Sequence, residues 1–292
     1  MSRSTMMLSD NPRWIERLAK WPADHRTHDW PMMGSPAWPL TVAAAYLYFV
    51  LSYGPRLMKT REPFSFKAFI YCYNVYQVIA NAAMFYTVLT SGWTTTYTLG
   101  CQYVDRSDSP EATRMATAMW WWFILKKTEL IETVLFVLRK KKRQVSFLHT
   151  YHHVSTYLIA WFAANFAPGG LVSFSVMPNS LVHVMMYTYF LLSTIDNDAL
   201  RKRLSSFKRY ITAIQMVQLG IIVTHTMQAL RPSCGAAPKI LVYSYIPNVL
   251  LVIYLFYNFY RVNYKTAAKK VGGEATPSSA GSVAGTTRTK LE

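Results

Sequence analysis

The chain has 292 residues and a formal net charge of +17, with 52% hydrophobic and 15% charged residues. In a soluble protein that charge would point to nucleic acid. Here the basic residues stand in clusters between apolar runs, which argues against nucleic acid and points to membrane topology, with a share of the charge free to attract a polyanionic substrate head or anionic lipid. The runs reach the ~18 residues needed to enter and cross a bilayer core of roughly 30 Å.

Residues 1–36 come first, polar and rich in Pro and Trp, without the compact apolar core of a cleavable signal peptide. They read as a non-cytosolic N-terminal segment. A seven-helix membrane domain is expected over 37–265, with spans near 37–57, 68–90, 115–138, 144–164, 171–192, 210–230 and 239–260. All are expected to be helices, because a chain in hydrocarbon must satisfy its own backbone groups. Twenty Tyr and nine Trp suit the interfaces of such spans. Residues 266–292, rich in Gly, Ser, Thr and Ala, read as a disordered cytosolic tail.

The loops set the orientation. Basic residues follow spans one, three, five and seven: Arg56, Lys59, Arg61 and Lys67, then 139–143, then Arg201, Lys202, Arg203, Lys208 and Arg209, then Arg261, Lys265, Lys269 and Lys270. The opposite loops carry only Arg106, Arg114, Arg231 and Lys239. The bias places the C-terminus in the cytosol and the N-terminus on the far side. Of the three cysteines, Cys72 falls within span two, while Cys101 and Cys234 fall in far-side loops. A secretory compartment would allow a Cys101–Cys234 disulfide there; two free thiols are the alternative.

Ionisable residues inside spans are costly and usually functional. Span three carries Lys126, Glu129, Glu132 and Thr133, and spacings of three and four put Lys126, Glu129 and Thr133 on one face. Span four carries His149, His152 and His153, span five Asn179, His183 and Tyr187, and span six Thr212, Gln215 and Gln218. Measured from the basic clusters, His152 lies roughly 13 Å in, Glu129 roughly 15 Å and Gln215 roughly 9 Å, with His183 at a similar depth. Four helices thus bring polar faces to one level in the cytosolic half, as a shared site requires.

Three imidazoles first suggest metal. Membrane di-iron desaturases and hydroxylases need several histidine boxes, however, and this chain has seven histidines in all. His25 and His28 lie in the N-terminal segment, and His225 lies near the far end of span six, where a hydrogen-bonded core histidine is expected. The other option is nucleophilic or acid–base catalysis by imidazole, with Glu129 or Glu132 orienting a ring nitrogen.

At these residues the chain resembles the ELO family of fatty acid elongase condensing enzymes. The hallmarks read Lys126-x-x-Glu129-Leu130 running to Thr133, His149-x-x-His152-His153, Asn179-x-x-x-His183-x-x-Met186-Tyr187, and Thr212-x-x-Gln215-x-x-Gln218. Two positions depart from the family's pattern: Glu132 stands where Asp is usual, and Phe190 where a second Tyr is common. The resemblance implies an endoplasmic reticulum membrane protein with six of its seven helices ringing a closed acyl tunnel. It implies condensation of a long-chain acyl-CoA with malonyl-CoA to a 3-ketoacyl-CoA, losing CO2 and CoA, through an acyl group carried on His152 with His183 beside it. No bound cofactor or metal is expected. The supporting set is Lys126, Glu129, Glu132, Asn179, Tyr187 and Gln215 around His149, His152, His153 and His183. Arg139, Lys140, Arg201 and Lys265 are expected to bind CoA phosphates. Further partners are membrane lipid and the reductases and dehydratase of the elongation cycle. A homodimer is open, since Ala43, Ala44, Ala45, Ala80, Ala82 and Ala83 permit helix contacts. The remaining classes are a di-iron oxygenase and a seven-helix receptor or carrier. Acyl length and saturation preference are not readable.

Overall fold

Short polar residues cap three of the helix starts. In the computed structural model, which describes residues 22–265, every regular element is helical. Helix α1 spans Ala37–Tyr48 and runs on through a wide turn at Phe49–Tyr53 into Gly54–Leu57. Helix α2 spans Lys67–Val88. Helix α3, Pro110–Leu138, begins five residues earlier than expected. Ser109 accepts a hydrogen bond from the Ala112 amide, Pro110 sits in the first turn and Glu111 adds charge there, three features that start a helix. Helix α4, Phe147–Phe166, is capped by Ser146.

The fifth expected span is broken. A single turn at Gly170–Ser173 precedes α5, Val176–Leu192. Pro178 lacks the N–H that would bond the Phe174 carbonyl in a continuous helix, and that carbonyl instead accepts from Met177. Helix α6, Asp198–Thr226, starts twelve residues before the expected position, because Asn197 caps it and Asp198 charges its first turn. Arg201, Lys202, Arg203, Lys208 and Arg209, expected in a loop, therefore ride on a helix. Helix α7 spans Lys239–Tyr260.

Six helices close a ring by packing. In order around it they are α2, α3, α4, α7, α6 and α5, with α5 returning to α2. Helix α1 stays outside, against α3 and α4. Two helical segments, Asp198–Leu230 and Lys239–Tyr264, are long and apolar enough by themselves to cross a membrane. The others carry polar groups that face inward: Asn74, Gln77 and Asn81 of α2 and Lys126, Glu129 and Glu132 of α3 are buried. Their outer faces carry exposed Tyr48, Leu51, Phe69, Ile79 and Tyr86. Apolar outside and polar inside is the arrangement that hydrocarbon favours.

The two ends of the bundle differ. At one end lie 139–143 and the basic first turns of α6. At the other, a disulfide joins Cys101 to Cys234, with Cα atoms 5.8 Å apart, and Lys239 donates to the carbonyls of Ala229, Arg231 and Cys234. Residues 22–36 pack at this disulfide end. Asp24 pairs with Arg26 at 2.8 Å and bonds the Asn165 carbonyl through its amide, and Thr27 donates to the Ala164 carbonyl. Burial pushes the Asp24 carboxyl up, but Arg26 and Arg106 outweigh it and hold the group below its ordinary value.

Candidate active site

Helix α3 supplies the polar stripe from which the site is built. Lys126 is 2% exposed and Glu129 fully buried. The Lys126 ammonium donates to both carboxylate oxygens of Glu129, at 2.8 and 3.0 Å. Glu129 Oε1 also lies 3.2 Å from Nδ1 of His183 on α5, within ion-pair range but off the line of a good hydrogen bond. One buried carboxylate thus bridges an ammonium and an imidazole, which offsets the cost of keeping the charges out of water.

One turn further along α3 a second group forms. Glu132 Oε2 accepts from the Tyr187 hydroxyl at 3.4 Å and lies 3.8 Å from Nε2 of His153. The His149 and His153 rings sit 4.2 Å apart, as an i, i+4 pair should. His149 Nε2 is 2.9 Å from the Thr133 hydroxyl, which also accepts from Tyr46 of α1 at 2.7 Å. Glu132, His149 and His153 bring three possible ligand atoms within 4.8 Å of one another. Two histidines and a carboxylate suit a non-haem metal in type, although Tyr187 and Thr133 already engage two of the three.

His152 points elsewhere. Its ring stands edge-on to His153 at 5.5 Å and to Phe256 at 6.3 Å, and it lines a cavity between α3, α4, α5, α6 and α7. Lys126, Asn179, Gln218 and Asn248 give that cavity its polar wall. A second, smaller cavity shares Trp122, Ile159, Ser175 and Tyr245 with it. It continues past Ala163, Leu171, Ala237 and Leu241, so its walls are apolar and its far part lies near the disulfide end. A cavity with a polar wall beside an apolar one suits a reacting head group and a hydrocarbon tail.

The sequence-derived set is therefore split. His152, Lys126 and Asn179 meet at the cavity wall. Glu129 and His183 stand behind Lys126, while His149, His153, Glu132 and Tyr187 form the second group. Gln215 does not reach the chamber: its side chain meets the Met186 sulfur at 3.4 Å, and Gln218 lines the cavity in its place. Arg201, expected on CoA phosphates, ion-pairs with Asp196 and Asp198 at 2.9 and 2.8 Å. Arg139 and Lys140 are half-buried at the end of α3; the side chain of Lys265 and the tail 266–292 lie outside the described residues. His225 is corrected too. Neither ring nitrogen has a hydrogen-bond partner, and the ring stacks on Phe174 at 3.8 Å. Sequence reasoning missed Tyr46, Trp122, Tyr245 and Asn248. Asn248 carried a signal, an amide midway along an apolar span; Tyr46 did not stand out from the other tyrosines near it.

Comparison with known proteins adds to this geometry. Residues 31–272 match the family described as ELO: GNS1/SUR4. The chain is 40% identical to a very long chain fatty acid elongase of Aedes aegypti over 85% of its length and 68% of that protein. It is 40% identical to very long chain fatty acid elongase 1 of Mus musculus, over 83% of this chain and 86% of that one. With very long chain fatty acid elongase 4 of Homo sapiens it shares 36% identity, over 90% and 81% of the two chains.

Proposed function

The chain belongs to the ELO family, and from that premise we propose that it is a fatty acid elongase joining a long-chain acyl-CoA to malonyl-CoA, with His152 carrying the acyl group. The observation that carries this reading is the position of His152, on the polar wall of a chamber that shares Trp122, Ile159, Ser175 and Tyr245 with an apolar slot. The slot takes the hydrocarbon tail and leaves the thioester carbonyl beside the imidazole.

A neutral His152 nitrogen attacks the thioester carbon; a C–N bond forms and the C–S bond breaks. The departing CoA thiolate takes the proton released by the acyl-imidazolium, giving free CoA and acyl-His152. Malonyl-CoA then loses CO2, and the electron pair left behind forms an enolate whose carbon attacks the acyl carbonyl. The C–N bond breaks, the leaving imidazole takes up one proton, and 3-ketoacyl-CoA departs. Water would quench the enolate, so the buried chamber between five helices favours condensation over simple decarboxylation. Glu129 holds Lys126 and His183 in place. Thr133 and Glu132 fix His149 and His153, against which His152 packs.

In this reading seven helices cross the endoplasmic reticulum membrane, with the basic end and C-terminus in the cytosol, where CoA substrates reside. Arg139 and Lys140 remain the candidates for CoA phosphates, Arg201 being answered by two aspartates. Reductases and a dehydratase in the same membrane would complete the cycle. The test is release of CO2 from carboxyl-labelled malonyl-CoA by purified protein, which should require added acyl-CoA and disappear in His152→Ala. Peptide mapping of protein treated with acyl-CoA alone should find the acyl mass on His152. CO2 release at the wild-type rate from His152→Ala would remove the acyl relay. The Glu132, His149 and His153 cluster favours one second reading, a metal oxygenase. Stoichiometric iron, together with no CO2 release, would replace condensation with that chemistry.

A further inference from the structure

Burying an amide without a partner costs about 1–3 kcal/mol, so such a group calls for an explanation. The side chain of Gln218 is buried, at 5% exposure, and its Nε2 has no hydrogen-bond partner. The same side chain lines the chamber that holds His152. Helices α4 and α6 are separated by α7 in the ring, so Gln218 and His152 approach the chamber from different sides. Leu219 and Ile222 follow Gln218 along α6 and line the same chamber, as Ile159 follows His152 along α4. Both polar residues therefore mark the boundary between polar chamber and apolar slot, the level at which an acyl chain in the slot would place its carbonyl.

The other groups on this wall suit an oxyanion less well. At Asn179 the unpartnered atom is the oxygen, Oδ1, which cannot donate. The Lys126 ammonium already has two contacts to Glu129. Gln218 offers two N–H donors with nothing to bond. A buried donor of fixed orientation is what a developing oxyanion needs, and it needs no reorganisation at the moment of reaction.

We propose that Gln218 is a catalytic residue whose side-chain N–H donates to the acyl carbonyl oxygen as His152 attacks the thioester. The inference rests on the elongase reading above. As the C–N bond forms, the carbonyl electron pair moves onto oxygen and Gln218 stabilises that charge. When the pair returns, the C–S bond breaks, CoA leaves with the proton from the imidazolium, and the hydrogen bond weakens.

The test is the first half-reaction alone. Purified protein is mixed with a saturated long-chain acyl-CoA that the wild type elongates, without malonyl-CoA. Acyl-protein is followed by intact mass and CoA release by a thiol assay. Gln218→Leu should slow acylation by about 100- to 1000-fold, with little change in the acyl-CoA concentration giving half-maximal rate. Gln218→Met, similar in length but without a donor, should be comparably slow while melting close to the wild type. It decides the matter if Gln218→Leu fails to fold. Acylation by Gln218→Met at the wild-type rate would overturn the assignment. So would a loss seen only as weaker acyl-CoA binding. His152→Ala separates the two ideas. If it is inert while the Gln218 variants run at full rate, only the Gln218 role falls; if it acylates normally, the acyl relay itself falls.

Discussion

Lys126 and Glu129 sit where an isolated charge is expensive, and the expense predicts how variants behave. Removing one member leaves the other buried and unpaired, at about 3–5 kcal/mol, whereas replacing both with apolar residues can be nearly neutral. Glu129→Gln should therefore destabilise the protein strongly, and Lys126→Met should do the same. The double variant Lys126→Met/Glu129→Leu should melt closer to the wild type than either single change, though without activity. Melting in detergent micelles checks this as a double-mutant cycle; additive losses would mean that the ion pair at 2.8 Å contributes no coupling. Much at this scale was legible, because spacings of three and four fix a helix face. Glu129 and His183 could be placed at one level from depth alone. What spacing leaves open is rotation about the helix axis. Gln215 and Gln218 are three residues apart, about 60° short of a full turn, and the pattern could not say which of them faces inward. Gln215→Leu should accordingly leave turnover within a few-fold of wild type in the CO2-release assay, in contrast to Gln218→Leu.

Helix boundaries obey local chemistry more closely than hydropathy. The apolar pattern placed the start of α6 at 210, yet Asn197 and Asp198 begin it at the earlier position, because a cap needs only a side-chain acceptor and not a hydrocarbon environment. The break before α5 follows from Pro178 and from Gly170, whose backbone is left-handed with φ +54°. A Cβ at Gly170 would lie 2.7 Å from backbone atoms of Gln102, Tyr103 and Val104. That segment adjoins Cys101 and cannot retreat like a flexible side chain. Gly170→Ala should thus cost at least the roughly 1–2 kcal/mol of a left-handed alanine, seen as a lower melting temperature. Gly220 on α6 supplies the contrast, with nothing within 4 Å of its Cβ position. Gly220→Ala should be neutral or stabilise by about 0.5–1 kcal/mol. Equal behaviour of the two alanine variants would contradict the crowding at Gly170.

At the scale of the whole molecule, the helix count and the end carrying the basic residues were readable because each rests on local composition. The order of helices around the ring was not, since chain order puts α5 after α4 while packing sets α7 beside α4. That neighbour relation decides what lines the slot, and so the acyl-length preference was out of reach of the sequence. The ring supplies what was missing: Ala163 of α4 faces the same slot as Ala237, Leu241 and Val242 near the start of α7. Ala163 and Ala237 are the smallest side chains there and both are almost fully buried, so the space they leave is available to a chain end. Enlarging either one removes slot volume far from His152. Ala163→Leu and Ala237→Leu should therefore leave acylation by shorter acyl-CoA substrates near the wild-type rate and stop elongation at an earlier step. Overpacking a filled wall would instead cost about 1–3 kcal/mol in stability. The two outcomes separate cleanly: a shortened product ladder with an unchanged melting temperature means that the tail occupies the slot, while an unchanged ladder with a lower melting temperature means that it does not.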